Sequence, residues 1–507
     1  MKKKLKAADR DFFSLVKEAT FINPFADERR KVDMKIIGSS ADMPEHIRVR
    51  RLTQEVRNRV IRLEESGSSR ISQFEGEDRT LMETVFLFDF FHQFLLRFDR
   101  LILEQQQAGE KSVKVNFWRE AFAFLAQRDF AEKEIRHFFA LCYQLRRAYF
   151  FIKHSLVGRS DCMKKLRRNL WNNVFTHDMG LYNTYMWNRM EDFSTLILGE
   201  TGTGKGSSAM SVGRSGFIPF DEKKESFSES FVRSFVSLNL SQFPETLIES
   251  ELFGHRKGAF TGAAEDYQGI FDRCSPYGSV FMDEVGEVSI PIQIKLLQIL
   301  QERTYSPVGG HQKRRFQGRV IAATNRDFRE MRKKGLLRDD FFYRLCSDII
   351  IVPPLRQRIR EDPLELDDLL AHTVERIVGT PSPELVHMVR SVIAEKPGPE
   401  YPWSGNVREL EQCVRRILLK RRYEGDDEEN PSDLQTFLSR GTERGDLDAP
   451  SLLGAYCMLL YRRFGTYEAA ARRSGLDRRT VKKYIDSWEE SGRTGSRTAG
   501  EIVKTKD

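Results

Sequence analysis

Apolar residues recur every three or four positions in three stretches of the first 153 residues, which is the spacing of one helix face. The longest stretch covers residues 81–104, and the stretches 117–125 and 135–152 repeat the pattern with phenylalanine prominent. Glycine and proline are sparse there, which favours helix further. We predict a mostly helical domain over residues 1–153. We interpret its Phe-rich faces as a core, with the lining of a ligand pocket as the alternative.

The pattern changes near residue 155, from where short apolar strands alternate with helical segments. The stretch 156–160 comes first, and β-branched or apolar strands follow at 195–198, 235–239, 278–282 and 319–324. Such alternation is typical of an α/β fold with a parallel sheet. We therefore predict an α/β domain in the middle of the chain.

The strand 195–198 runs into a glycine-rich loop that ends in a lysine, the G-x-x-x-x-G-K pattern of phosphate-binding loops. Glycines let backbone N–H groups approach phosphate oxygens without a Cβ in the way. We predict that Lys205 reaches the β- and γ-phosphates and that the next helix points its positive end at them. The predicted nucleotide-binding residues of the loop are Gly199, Glu200, Thr201, Gly202, Thr203, Gly204, Lys205 and Gly206.

Two acids follow the strand 278–282, as expected for a site that binds a nucleotide with magnesium. Asp283 is the predicted Mg²⁺ ligand, directly or through water, and Glu284 is predicted to polarise the attacking water. Asn325 ends the strand 319–324, where it either senses the γ-phosphate, orients water or caps the strand. Arg338 and Arg344 are either arginine fingers for a neighbouring subunit's nucleotide or partners in surface salt bridges.

A helix is predicted to begin near Asn406, a plausible cap residue. Arg408 then lies near the positive end of that helix, where a cation is unfavourable unless an anion balances it. Arg408 is therefore a further candidate for contact with the nucleotide.

The tail has the spacing of a helix-turn-helix, with a helix at 452–463, a short helix at 466–473, a turn at 474–477 and a helix at 478–488. Basic residues crowd the turn and the last helix, so charge and motif coincide. The predicted DNA-binding residues are Arg472, Arg473, Arg478, Arg479, Thr480, Lys482 and Lys483. We expect Arg478, Arg479 and Thr480 to contact bases or phosphates, and the two lysines to contact phosphates. A solvated basic helix of a bundle is the alternative.

Length and composition set the outer limits of these predictions. A chain of 507 residues is too long for one core, so we expect about three domains, and the net charge of +8 permits nucleic-acid binding. Neither a signal peptide nor a run of about 18 apolar residues occurs, so we expect a cytoplasmic protein without membrane contact. Six widely spaced cysteines without a C-x-x-C indicate reduced thiols, and the nine histidines form no metal-binding spacing.

Residues 155–422 together resemble the AAA+ domain of bacterial sigma-54-dependent transcriptional activators. The most specific piece is the loop Gly258, Ala259, Phe260, Thr261, Gly262 and Ala263, which is similar to the family's GAFTGA loop, the surface that contacts sigma-54. Residues 252–255, 343–345 and 353–356 match the family as well, and residues 449–490 are similar to its Fis-type DNA-binding domain.

The resemblance implies a parallel sheet with helices on both faces and a helical lid. It also implies a ring, usually a hexamer, with ATP and Mg²⁺ between subunits, and as partners the sigma-54 RNA polymerase holoenzyme and double-stranded upstream DNA. The resemblance implies that four residues act on the nucleotide of their own subunit, namely Lys205, Asp283, Glu284 and Asn325. Arg338 and Arg344 would act on the nucleotide of a neighbouring subunit, and Arg408 would be a second sensor. Asn239 would hold Glu284 until the γ-phosphate is in place.

The expected domains follow the chain in order, and the regulatory role of the first rests only on its position ahead of the ATPase. They are a regulatory domain of unknown signal at 1–153, the α/β ATPase subdomain at 154–358, its lid at 359–422, an acidic linker at 423–448, a DNA-binding domain at 449–490 and a disordered tail at 491–507.

Two features depart from the family's pattern. Gly206 follows Lys205, where phosphate loops in general use Ser or Thr for Mg²⁺ and this family usually has Glu. The segments 168–193 and 206–235 are longer than usual, and we interpret both as surface insertions.

Three functions are compatible with these patterns. The first is a sigma-54 activator that binds upstream DNA and uses ATP hydrolysis to remodel the closed promoter complex. The second is an AAA+ remodeller of another protein or of DNA. The third is a hydrolysis-deficient DNA-binding regulator, for which Gly206 and the insertions are the indications.

Overall fold

The computed structural model describes residues 2–40, 43–423, 434, 437–438, 441–442, 445 and 447–490. The chain divides into two units: residues 1–387 with 401–414, and residues 388–400 with those from 415 onward. Most of the predicted acidic linker and the whole predicted tail at 491–507 lie outside the described residues.

The described part of the first 155 residues is mostly helical, as predicted. The three helices expected from the apolar spacing are Gly76–Ala108, Trp118–Ala126 and Glu132–Ser155. Ala7–Phe21, Asp27–Ile37 and Glu45–Glu65 precede them, with a 3₁₀ turn at Ile71–Gln73. The Phe-rich faces form a core in which Phe86, Phe90, Phe98 and Phe139 are fully buried. The interpretation as a core is confirmed for these side chains.

The segment 206–235 is not a surface insertion, and that prediction was wrong. After the helix Lys205–Gly213, the strands Phe220–Asp221 (β2) and Ser226–Phe227 (β3) form an antiparallel hairpin. Ile218, Phe220, Phe227 and Phe231 are buried in the amino-terminal helical core. The Phe227 ring stacks on Tyr143 with the ring centres 4.1 Å apart. The segment was misinterpreted because its apolar side chains pack on a helix far away in the sequence.

The segment 168–193 is also part of a core, so the second prediction of a surface insertion was wrong. The helix Asp161–Phe175 leads into helical turns at Met179–Leu181, Tyr182–Met186 and Met190–Asp192. Leu170, Phe175 and Tyr182 are fully buried and pack with sheet residues such as Ile197 and Ile350. The stretch 156–160, expected as a strand, is instead a connection between two helices.

A five-stranded parallel sheet is the centre of the α/β part, which confirms the predicted fold class. Its strands are Thr195–Leu198 (β1), Phe235–Asn239 (β4), Ser279–Asp283 (β5), Arg319–Thr324 (β8) and Asp348–Ile351 (β9), in the order β4-β5-β8-β1-β9. β1 lies between β8 and β9, with Leu196 opposite Ala322 and Ile349. Thr304–Tyr305 (β6) and Arg314–Arg315 (β7) form a separate antiparallel pair.

Helices connect these strands and continue beyond them. They are Lys205–Gly213, Glu245–Phe253, Ile270–Arg273, Ile290–Glu302, Phe328–Lys333, Asp339–Leu345, Leu355–Glu361, Leu364–Val378, Pro383–Glu395 and Asn406–Lys420, with 3₁₀ turns at Leu240–Gln242 and Val285–Glu287. A buried ion pair joins Arg358 Nε to Glu365 Oε1 at 2.6 Å. Glu365 Oε2 also accepts from the backbone N–H groups of Arg159 and Ser160, which fixes the connection after residue 155 to the helical part.

The described part of the second unit includes three consecutive helices, Ala449–Phe464, Tyr467–Ser474 and Arg478–Glu490. Gly475 lies between the last two in the left-handed conformation (φ +72°), which glycine adopts without strain. Ala470, Val481 and Ile485 are buried at their contact. The predicted helix, turn and helix are therefore present, within two residues of the expected bounds. Among the described residues, no helix is long and apolar enough to cross a membrane.

Candidate nucleotide-binding site

Three polar chain segments meet at one edge of the sheet. β1 leads into the phosphate loop, β5 ends at Asp283, and Asn325 follows β8. These strands are parallel neighbours, so their carboxyl ends lie side by side. The structure therefore brings together the phosphate loop, the two acids and Asn325, which are about 40 to 120 residues apart in the sequence.

The phosphate loop holds its lysine at the start of the helix Lys205–Gly213. Lys205 is buried, and its Nζ donates to the carbonyl oxygens of Gly199 (3.0 Å) and Glu200 (3.2 Å). Gly202 and Gly204 have φ values of +78° and +104°, in a region of backbone conformation that residues other than glycine rarely adopt. The loop thus places an ammonium group and a helix amino terminus together, the arrangement that binds phosphate.

Glu284 connects the lysine to the strand ends. Its Oε1 lies 3.8 Å from Lys205 Nζ, and its Oε2 accepts from the backbone N–H of Asn325 (3.3 Å). The Asn325 side chain donates to Thr201 Oγ1 (3.0 Å) in the phosphate loop. Glu284 itself is in the left-handed conformation (φ +56°), which costs about 1–3 kcal/mol in a non-glycine residue and is frequent at functional sites.

Asp283 is suited to hold a divalent cation. One carboxylate oxygen accepts from the Glu284 backbone N–H (3.0 Å), and among the described residues the other oxygen has no hydrogen-bond donor. Carboxylate oxygen is the ligand that Mg²⁺ prefers, and it leaves the remaining positions to phosphate and water. Gly206 brings no hydroxyl to the site. Asp283 is thus the protein ligand that fits Mg²⁺ here.

Asn239 does not hold Glu284 in this structure. It lies opposite Asp283 in the register of β4 and β5. Its Oδ1 accepts from the backbone N–H of Ser241 (3.0 Å) and from the Ser241 hydroxyl (2.8 Å). Within the described residues, no hydrogen bond joins Asn239 to Glu284.

Asn406 is not the helix cap that its residue type suggested, and that prediction was wrong. Its Oδ1 accepts from the backbone N–H of Leu355 (2.7 Å), and its Nδ2 donates to Thr201 O (3.0 Å) and Glu200 Oε2 (3.2 Å). The side chain is fully buried and links the phosphate loop to two helices. The Asn406 side chain is therefore hydrogen-bonded to backbone groups that are distant in the sequence, and its oxygen does not cap the helix Asn406–Lys420.

Two further residues next to the phosphate loop were not predicted from the sequence to have these contacts. Arg356 Nη1 donates to Glu200 Oε2 (2.7 Å), and this hydrogen bond holds the pKa of Glu200 below its usual value. Val407 donates its backbone N–H to Gly202 O (3.1 Å). Arg408, the predicted second sensor, is exposed, and its Cβ lies beside Gly202.

The two candidate arginine fingers differ in their surroundings. Arg338 makes a two-point ion pair with Asp340 (3.0 and 2.8 Å), and the hydrogen bond raises its pKa. Arg344 is exposed on the helix Asp339–Leu345, and in the part of the chain that the structure describes it has no acidic partner. Neither arginine is hydrogen-bonded to the phosphate loop of its own chain.

The loop 258–263 presents an aromatic tip. Phe260 is 38% exposed, and its ring makes an edge-to-face contact with the His255 ring, with the centres 4.9 Å apart. The loop is closed by the backbone N–H of Gly258, which donates to Ala263 O (2.8 Å). His255 Nδ1 lies 2.6 Å from Ser250 Oγ, and this hydrogen bond fixes the orientation of the imidazole ring against which Phe260 packs. The predicted exposed tip is present, whereas its contact with His255 was not foreseen.

The basic residues of the last two helices are mostly exposed. Arg479, Lys482 and Lys483 project from the helix Arg478–Glu490, and Arg472 is exposed on the preceding helix. The other predicted residues have partners in the chain. These are Arg478 with Glu468 (2.8 Å), Arg473 over the Phe464 ring (4.4 Å) and the Thr480 hydroxyl, which donates to Asp477.

Comparison with known proteins assigns the central part of the chain. Residues 181–350 match the family described as the sigma-54 interaction domain. The chain contains a sigma-54 interaction domain. The matched residues include the phosphate loop, both acids, the loop 258–263 and the two candidate fingers. This confirms the family resemblance for that part.

Curated relatives agree with the assignment. The chain is 41% identical to the Nif-specific regulatory protein of Azotobacter vinelandii over 226 residues, 45% of this chain and 40% of the relative. It is 39% identical to the regulatory protein AtoC of Escherichia coli K12 over 229 residues, 45% of each chain. The nitrogen fixation protein AnfA of A. vinelandii is 34% identical over 311 residues, 60% of this chain and 55% of the relative. The chain thus spans about half the length of these relatives.

Proposed function

We propose that this protein is an ATP-dependent transcriptional activator that remodels the closed complex of sigma-54 RNA polymerase. One observation carries the proposal. The same sigma-54 interaction domain contains both the site formed by Lys205, Glu284 and Asn325 and a loop with Phe260 exposed at its tip. Remodelling of the closed complex requires both a site that hydrolyses a nucleotide and a surface that binds the partner. With this partner, the protein acts in the bacterial cytoplasm.

In the proposed hydrolytic step, Lys205 and the helix amino terminus bind the phosphates of ATP. Asp283 holds Mg²⁺, which neutralises part of the charge on the phosphates. Glu284 accepts a proton from the attacking water, or polarises it, because its carboxylate lies next to both the lysine and Asn325. Asn325 connects Glu284 with Thr201, so it reports the state of the phosphate loop to the catalytic acid.

The active form is a ring, which we expect to be a hexamer. Arg344 is exposed and free of acidic partners in the described chain, which suits a residue that completes a neighbour's site. Arg338 must exchange Asp340 for a phosphate to do the same. An arginine finger contributes about 10³–10⁵-fold to the rate in known phosphoryl-transfer enzymes. Arg408 beside Gly202 is the second sensor in this proposal.

Nucleotide state is proposed to set the position of the loop 258–263. Contacts to the γ-phosphate favour one conformation of the site, and their loss after hydrolysis favours another. Exposing Phe260 fully requires that its contact with His255 breaks, so the loop exchanges an internal aromatic contact for one with sigma-54. That exchange keeps the cost of exposing the ring low.

Binding to upstream DNA is assigned to the last two helices. Arg479, Lys482 and Lys483 are the exposed residues of the proposed recognition helix, and Arg472 supplies a further cation. Arg478 and Thr480 are held by acids of the same unit, so they contact DNA only after those bonds rearrange. The phosphate contacts predict affinity that falls steeply with salt.

The test combines ATP turnover with capture of sigma-54. Glu284→Gln is expected to bind ATP but not to hydrolyse it, and Lys205→Ala is expected to lose binding. With a transition-state mimic of ATP, the wild-type ring should retain sigma-54, and Phe260→Ala should not, although its turnover persists. Leu336→Ala, which removes another exposed apolar side chain of the same domain, is the matched control.

The alternatives give different results in the same experiment. Turnover with no capture of sigma-54 by the wild-type ring would support a remodeller of another target. Absence of turnover together with intact DNA binding would support a hydrolysis-deficient regulator.

A further inference from the structure

A large cavity lies within the amino-terminal helical region. Its volume is about 570 Å³, within the range of about 300–1,000 Å³ that is usual for small-molecule sites. Its walls are mainly apolar and come mostly from the helices Ala7–Phe21, Asp27–Ile37, Glu45–Glu65, Gly76–Ala108, Glu132–Ser155 and Asp161–Phe175, with Leu87, Leu95, Leu145 and Trp171 among the lining residues. Part of the Phe-rich helix faces therefore lines this cavity, and the core interpretation is incomplete for that part.

The charged side chains that line the cavity already have partners. Asp33 is paired with Arg29 (2.7 Å) and Arg48 (3.3 Å). Glu45 accepts from Lys153 and from the Tyr149 hydroxyl, and Arg146 is paired with Asp99. A charged ligand would lose its hydration without gaining an unpaired counter-charge, which is costly in an apolar site. The lining thus favours a neutral ligand.

The ring of His92 offers a neutral polar group in the wall of the cavity. His92 Nδ1 lies 2.9 Å from Phe88 O, and because a carbonyl only accepts, Nδ1 carries the proton. Burial lowers the pKa of His92 to about 4, so the ring is neutral near pH 7. Nε2 is then an acceptor, and in the described part of the chain it has no hydrogen-bond partner. A ligand with a hydroxyl or N–H group would satisfy it.

We infer that this cavity binds a neutral, mainly apolar small molecule with one hydrogen-bond donor that His92 accepts, and that its occupancy is transmitted to the phosphate-loop helix. The structural link is the helix Glu132–Ser155. One of its faces lines the cavity, and the backbone oxygen of its Phe151 lies 3.3 Å from Ser211 Oγ of the helix Lys205–Gly213, whose shorter hydrogen bond goes to Ser207 O (2.8 Å) in its own helix. The buried Arg147 of the same cavity helix donates to Arg214 O (2.8 Å) and Gly216 O (2.7 Å), directly after the phosphate-loop helix.

The first test measures binding to the full chain with N-phenyl-1-naphthylamine, a neutral fluorescent aromatic amine with one N–H donor. Saturable fluorescence at one probe per chain is expected for the wild type. Leu95→Trp and Leu145→Trp fill the cavity from two helices and should abolish it. Leu96→Trp is the matched control, because Leu96 is 77% exposed and adjacent to Leu95, and it should bind like the wild type. If both cavity-filling variants bound the probe with wild-type affinity, the proposal that this cavity is the binding site would be wrong.

The second test addresses His92 and the link to the phosphate loop. His92→Phe should weaken displacement of the probe by 2-naphthol about fivefold, the effect of about one hydrogen bond, and leave displacement by naphthalene unchanged. Equal effects on both competitors would overturn the role of His92. Probe binding should change amide hydrogen exchange in residues 205–213, and unchanged exchange would overturn the link. Neither readout requires ATP turnover, so a failure of the proposed ATPase activity remains distinguishable.

Discussion

The carbonyl oxygen of Gly202 accepts a hydrogen bond from the backbone N–H of Val407 (3.1 Å), which attaches the tip of the phosphate loop to the start of the helix Asn406–Lys420. The two segments approach so closely that a Cβ at Gly202 would lie 2.2 Å from Gly405 O. The conformation of the loop and its contact with that helix therefore depend on one another.

Gly202→Ala should disrupt this contact. The methyl group meets backbone rather than a flexible side chain, and φ is +78°, so clash and backbone strain act together. We expect at least about tenfold weaker ATP binding, measured by titration with a fluorescent ATP analogue. Gly206→Ala is the control, because a Cβ there meets nothing within 4 Å. Equal affinity in both variants would contradict the steric argument.

The hairpin that was mistaken for a surface insertion should contribute strongly to stability. Phe227→Ala removes a buried ring that stacks on Tyr143, and we expect it to lower the free energy of unfolding by about 3 kcal/mol. Lys223→Ala, at the exposed turn of the same hairpin, should change it by less than about 0.5 kcal/mol. Urea denaturation followed by circular dichroism measures both. A small loss for Phe227→Ala would mean that the hairpin is not part of the amino-terminal core.

Local sequence signals were sufficient for the centre of the site. The glycines and Lys205 lie within one short segment, and Asp283 and Glu284 come at the end of an apolar strand, so residue type and position in the chain already indicated that these residues lie at one site. The sheet then needs only parallel strands to bring Asn325 beside them.

Contacts between distant residues were not predictable in the same way. The strands of the hairpin are two residues long, too short for a period-two pattern, and their partner Tyr143 is more than 70 residues away. Asn406 has the residue type of a helix cap, but its oxygen is bound by Leu355, 51 residues earlier. The cavity, too, depends on how six helices pack against one another, which helical periodicity does not specify.

The buried carboxylate of Glu365 should matter more than an exposed neighbour. Glu365→Gln leaves the Arg358 guanidinium buried without a counter-charge, and we expect a loss of about 3 kcal/mol in the free energy of unfolding. Asp368→Asn, which breaks the exposed pair with Arg159, should cost at most about 1 kcal/mol. Thermal and urea unfolding of the two variants give the comparison. Similar losses would show that burial of the Arg358 pair does not decide its contribution.

His92 should make the protein less stable in mild acid. Its pKa is about 4 in the folded state and about 6.5 in the unfolded chain, so the unfolded state binds the proton first as the pH falls. Stability is therefore lost progressively below about pH 6.5, down to about pH 4. Between about pH 7 and 5.5, His92→Phe should lose about 1 kcal/mol less than the wild type, measured by urea denaturation. Parallel profiles of the two proteins would contradict the low pKa.

Arg344 should act on the nucleotide of a neighbouring subunit, and mixing two inactive variants tests this directly. Lys205→Ala removes the phosphate-binding lysine, and Arg344→Ala removes the candidate finger, so each protein alone should be inactive. In mixed rings, an Arg344→Ala subunit keeps its own Lys205 and receives Arg344 from a Lys205→Ala neighbour. With equal amounts, about a quarter of the interfaces are complete, and we expect turnover of about that fraction of the wild-type rate. An arrangement in cis would give no recovery, because no single subunit then holds both residues.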